Sequence, residues 1–140
     1  MIVGLHPTVT AQESEYREVE SPYQDDFDYT VNTELTPFVE VDGVRWTRFA
    51  VMVKGGKKIV DDKDMAVTVE TGFVNTNPST VKILVIALFE DAAGTPLDRV
   101  ECAPVSASRD RSKESTQKFK VSGAVLEATR RIYLYCEIVD

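Results

Sequence analysis

From Phe38 onward the chain alternates between apolar and polar residues. Phe38–Asp42 and Val44–Val53 carry apolar side chains at about every second position, with Gly43 between them, which is the period of a half-buried strand. Lys54-Gly55-Gly56-Lys57 predicts a turn, because paired glycines accept positive φ. Ile59-Val60 reads as a short pairing piece and Asp61-Asp62-Lys63-Asp64 as a second turn. Residues 65–75 place Met65, Val67, Val69, Thr71 and Phe73 on one face and Thr68 and Glu70 on the other. Asn75–Ser79 is a loop of turn formers, and Pro78 forbids a central strand there. Val81–Glu90 is apolar on both faces and predicts a central strand; its β-branched content and flanking turns argue against a buried helix. Asp91–Pro96 turns the chain. Residues 97–105 and 114–121 read as two further strands across the polar segment 106–113. Ser122–Arg130 suits a short helix with Val125 and Leu126 as its contacts, and residues 131–139 form the last strand. About seven strands with regular turn signals and no βαβ spacing predict an all-β fold, a two-layer sandwich occupying residues 37–140.

Charge divides the chain differently. Residues 1–36 hold eight acids and one base, Arg17, which accounts for the whole net charge of −7; residues 37–140 hold 15 acids and 15 bases. That asymmetry predicts a flexible acidic N-terminal arm ahead of a neutral body. An acidic arm repels polyanions, so nucleic acid is not an expected partner. The expected partner is another protein, or a second copy reached through the arm. One basic surface for the arm to meet is Arg109, Arg111, Lys113, Lys118, Lys120, Arg130 and Arg131, whose plainer role is a charged edge that discourages sheet-to-sheet aggregation. No apolar run reaches the roughly 18 residues that span a bilayer.

The segment Thr71–Asn75, the polar loop after it, Val81–Glu90 and Asp91-Ala92-Ala93-Gly94 together resemble the FxLYD domain, a bacterial and archaeal sandwich module. Its name motif falls on Ile86-Ala87-Leu88-Phe89-Glu90, where Leu88 matches and Ile86, Phe89 and Glu90 are conservative departures. The family's Gly-x-Val-x-Asn strand end falls on Gly72-Phe73-Val74-Asn75, with the valine one place late. Glu114–Val121 is similar to the strand that follows the family's Pro-Gly-Glu turn, although Arg111-Ser112-Lys113-Glu114 replaces that turn. The likeness covers residues 65–121 and implies an immunoglobulin-like sandwich, often extracytoplasmic, with no catalytic residue. The late-embryogenesis type 2 domain is a similar sandwich and stays an alternative. A true immunoglobulin domain is not supported, since its tyrosine position falls on Leu134, between Tyr133 and Tyr135.

Chemistry is sparse. The only histidine is His6, so nucleophilic triads and Cys/His zinc sites cannot form in the body. Gly55-Gly56 has no helix after it and is not a phosphate loop. Glu90, Asp91 and Glu101 are the carboxylates available for acid–base work, but each reads first as a strand-end or turn residue. Asp61, Asp62 and Asp64, and Asp26 with Asp28, fall short of a calcium loop. No cofactor is expected.

Cys102 and Cys136 both point inward by alternation. They read as buried thiols, or as a disulfide if the protein is exported. Met1–Leu5 is apolar and Val9-Thr10-Ala11 resembles the end of a secretory signal over residues 1–11. Together these favour a periplasmic, cell-envelope or secreted location, with the cytoplasm as the alternative. Trp46 reads as core or as an exposed stacking platform. Tyr133 and Tyr135, with Tyr16, Tyr23 and Tyr29, are contact candidates. The expected function is a non-catalytic structural or protein-interaction module. The alternative is a module that binds carbohydrate, lipid or calcium.

Overall fold

A computed structural model describes residues 15–139. Two sheets face each other. In the first, β1 (Arg17–Val19), β4 (Val39–Val41), β5 (Val44–Val53), β6 (Asp64–Asn75) and β10 (Arg111–Ser122) lie side by side, and β3 (Glu34–Leu35) continues the β4 edge of β5. In the second the order is β2 (Tyr23–Asp28), β11 (Arg131–Val139), β7 (Val81–Glu90) and β8 (Pro96–Glu101), and β9 (Val105–Ala107) continues the β8 edge of β7. All pairs are antiparallel except β1 with β4. The helix α1 (Gly123–Ala128) joins β10 to β11, capped by Ser122, whose hydroxyl accepts from Ala124 N–H. The chain is thus an all-β sandwich, as its alternation predicts.

The inward residues of both sheets build one core. Trp46, Phe49, Phe73, Phe89, Ile83, Ile132 and Leu134 are all essentially buried. Trp46 sits 5.6 Å from Phe73 and 6.2 Å from Phe49, ring centre to ring centre. A bulge at Thr47 explains why Trp46 and Phe49 face the same way although they are three residues apart. The extra residue resets the alternation. Trp46 therefore lies in the core, and its indole N–H donates to Arg48 O at 3.0 Å; it is not part of an interaction surface.

The expectation of a flexible arm over residues 1–36 is corrected from residue 15 onward. Residues 1–14, including the signal-like stretch 1–11, lie outside the described residues. Residues 17–35 supply three strands, two to the first sheet and one to the second. Tyr23, Tyr29 and Val31 are buried. The tyrosine and Asn32 also serve the backbone of β5: the Tyr29 hydroxyl accepts from Val51 N–H at 2.7 Å, Asn32 N–H donates to Val51 O at 2.8 Å, and Asn32 Oδ1 accepts from Val53 N–H at 2.8 Å. Backbone groups on a strand edge must find partners, and this segment provides them. The strand count is accordingly eleven among the described residues, not seven, because the N-terminal segment adds three and the stretch 97–105 separates into β8 and β9.

The disulfide expected on export is absent. Cys102 and Cys136 are free and buried. Both are in register with Val85, from opposite sides of β7: Cys136 pairs with it, and Cys102 N–H donates to its carbonyl at 2.9 Å. Two inter-strand spacings separate the cysteines by about 10 Å, beyond the roughly 7 Å that a bridge tolerates. Burial pushes the Cys102 thiol up to about 11 and the Cys136 thiol to about 12.

Candidate functional site

The outer face of the first sheet is organised by Arg48. Its guanidinium meets Glu34 Oε2 at 2.7 Å, a Glu70 carboxylate oxygen, and Glu114 Oε1 at 3.8 Å. One side chain thus ties β3, β6 and β10 to β5, and the hydrogen bonds it donates to Glu70 and Glu34 raise its pKa further. Gly72 makes this crossing feasible. A Cβ there would stand 2.6 Å from Glu114 Oε2 and 2.9 Å from Thr47 Oγ1. Nearby, Arg45 Nε meets Glu40 Oε1 at 3.0 Å and lies over the Tyr16 ring.

Arg131 plays the same part on the second sheet. It meets Asp28 Oδ1 at 2.8 Å and Asp26 Oδ1 at 3.3 Å, both on β2. Behind them Glu90 is buried, and neither its Oε1 nor Asp26 Oδ1 has a hydrogen-bond partner. Two bare carboxylates could not donate to each other. Burial first, then the hydrogen bond and charge of Asp26, raise the Glu90 pKa above its ordinary value, so Glu90 holds its proton to higher pH than a free carboxyl and, while it does, can donate to Asp26. Arg131 opposes that rise. Asp26 and Asp28 serve as partners of this arginine.

Also outward on the second sheet, Leu84, Ile86 and Leu88 of β7 are half-buried between the strands that flank them. Tyr133 is in register with Leu88 and Tyr135 with Ile86. Their hydroxyls donate to Gln24 and to Glu137. The two tyrosines expected as contacts are therefore half-buried outer-face residues, each already bonded within the fold. Tyr23 and Tyr29, by contrast, are core.

The sequence-expected basic surface is dispersed. Arg109, Arg111 and Lys113 sit at the Asn75 end of β10, where Arg111 pairs with Asn75. Lys118 and Lys120 sit toward the other end, opposite Thr68 and Ala66. Arg131 belongs to the second sheet.

What the structure does bring together is a lysine end. Lys54, Lys57, Lys58, Lys63 and Lys120 rim a cleft of about 510 Å³, with Val53, Val60, Met65 and Ala66 in its walls and floor. A second hollow shares Lys54, Ala66 and Lys120 with it and adds Lys118 and Phe119. All six lysines are exposed, and the loop also carries Asp61, Asp62 and Asp64. The cleft is set by backbone. Gly55 and Gly56 adopt φ of 71° and 65°, which glycine tolerates without strain. Gly123 N–H donates to Lys63 O at 2.7 Å, and Gly123 has no Cβ to strike Val60 O, which a Cβ would meet at 1.8 Å. Among the described residues every ion pair is made by an arginine and none by a lysine. Lys54, Lys57 and Lys63 were legible as turn residues, but their convergence with Lys58 and β10 was not.

Among the described residues no group of three or more His, Cys, Asp or Glu side chains is placed to hold a metal ion, and no helix is long and apolar enough to cross a membrane. No protein-family model matches the chain, and no curated protein matches it.

Proposed function

We propose that the chain is a non-catalytic protein-interaction module, held in the cell envelope or secreted, whose contact surface is the lysine end. The location rests on the signal-like residues 1–11 and on the FxLYD resemblance. The observation that carries the contact surface is the set of six exposed lysines around an apolar floor, none of them used in an ion pair among the described residues. An acidic segment of a protein would meet charge along the rim and could lay an apolar side chain against Val60 and Met65. Although Asp64 also lines the cleft, the lysines outnumber it, and a predominantly positive concave surface speeds encounter and selects acidic partners.

The test is fluorescence anisotropy of a labelled polyglutamate peptide against the full chain at low salt. Binding is expected, with loss of at least tenfold in affinity for the double variant Lys57→Glu, Lys58→Glu, about 1.4 kcal/mol. Equal binding by the variant and the native chain would remove the lysine end from the contact.

A further inference from the structure

The opposite end of the sandwich carries the opposite charge. Glu18, Glu20, Glu40 and Asp42 line a groove with Val19 and Gly43. Its floor is pinned where β1 and β4 run parallel, and Asp42 N–H donates to Val19 O at 3.1 Å. Of its four carboxylates only Glu40 has a cation partner among the described residues, Arg45 at 3.0 Å. Beside this corner Phe38 is 44% exposed, the most exposed large apolar side chain among the described residues. Tyr16 packs edge-on against it at 5.8 Å. Gly43 immediately precedes β5 and Lys54 immediately follows it, so the acidic groove and the lysine cleft stand about 30 Å apart along the strand axis.

Resting on the function proposed above, we infer that the partner of the lysine end is a second copy of this chain, presenting its acidic groove head to tail. The charges match: four carboxylates with an adjoining exposed aromatic face a lysine rim with an apolar floor. The aromatic supplies the kind of anchor that dominates binding energy. Two different surfaces at opposite ends make a heterologous contact, which leaves a free groove at one end of every assembly and a free cleft at the other. Growth is therefore open, not closed at a dimer. Arg111 and Lys113 on β10, with Arg109 just before it, share the acidic end but lie three strands from the β4 side of the groove and four from β1. That is about 14 to 19 Å, beyond the screening length of about 10 Å at 0.1 M salt.

Sedimentation velocity of the full chain tests this. At low salt the mean sedimentation coefficient should rise with concentration. At 1 M salt, where screening falls to about 3 Å, the chain should return to monomer. Two variants isolate the ends: Lys57→Glu with Lys58→Glu, and Glu18→Lys with Glu20→Lys. Each alone should stay monomeric, since reversing one end leaves two like-charged ends. Mixed together they should associate again, because the acidic ends of one variant face the basic ends of the other. All altered residues are exposed, and a native-like circular-dichroism spectrum is required of each variant. A native chain that stays monomeric at low salt, or variants that associate as the native chain does, would overturn the head-to-tail contact. If polyglutamate still binds the lysine end in that case, the interaction function stands and only the self-partner falls. If neither is seen, both fall.

Discussion

Arginine and lysine divide the positive charge of this fold into two regions with different fates. On the faces, Arg48 and Arg131 are each surrounded by carboxylates from neighbouring strands. At the β5–β6 end, six lysines converge, none with a carboxylate partner among the described residues. The difference follows from chemistry. A guanidinium is a rigid fork that satisfies several carboxylates at once, whereas an ammonium on a long flexible stem remains well hydrated when unpaired. Charge on the faces therefore stitches strands together, and charge at the end stays free for another molecule.

The comparison can be broken from either side. The largest effect is expected from Gly123→Ala, whose Cβ would meet Val60 O at 1.8 Å. Overpacking against backbone costs about 3 kcal/mol. The 57–63 loop should be displaced, so polyglutamate binding falls along with the urea midpoint. Next is Arg131→Ala, which leaves the half-buried Asp26 beside buried Glu90 without its cation. A loss of about 2 kcal/mol is expected in urea unfolding, in line with hydrogen bonds to charged groups, with polyglutamate binding retained. Glu90→Gln separates the two regions by pH. Because the folded pKa of Glu90 lies above its ordinary value of 4.5, the native fold binds a proton more tightly than the unfolded chain does. Stability then falls as pH rises from that ordinary value through the raised one. The glutamine variant should lack this decline and exceed the native chain in thermal midpoint at neutral pH, while matching it in acid. Smallest is the stability effect of Lys57→Glu with Lys58→Glu, within about 0.5 kcal/mol for exposed sites. A larger loss would show that the lysine end is part of the scaffold.

Sequence pattern located β5, β7 and β11 to the residue, β5 and β11 by their apolar inward rows and β7 by an apolar, β-branched run between turn signals. The N-terminal strands were not legible for a physical reason. Asp25, Asp26 and Asp28 dominate the local composition of β2, and composition weighs charge without knowing its partners. Arg131, the partner of Asp26 and Asp28, lies more than a hundred residues away. The bulge at Thr47 was hidden in the same way, since only pairing with β6 shows that Trp46 and Phe49 share a face. Of the basic surface, the lysines of β10 were singled out, but the glycine turn and the loop that complete the cleft meet them only in three dimensions. Asn75 read as a turn former, yet it is buried, and its amide donates to Ser79 O at 2.9 Å and Ala107 O at 3.0 Å. Its side chain does the work of backbone at the loop.

The pairing of β2 with β11 also has a consequence in time. Tyr23–Asp28 is among the earliest described segments made, and its partner Arg131–Cys136 among the last. During synthesis β2 has nowhere to settle until the final strand emerges. Loop closure over that span is slow compared with local structure. The second layer should therefore be completed only once Arg131–Cys136 has been made, with its aromatic side chains left waiting until then.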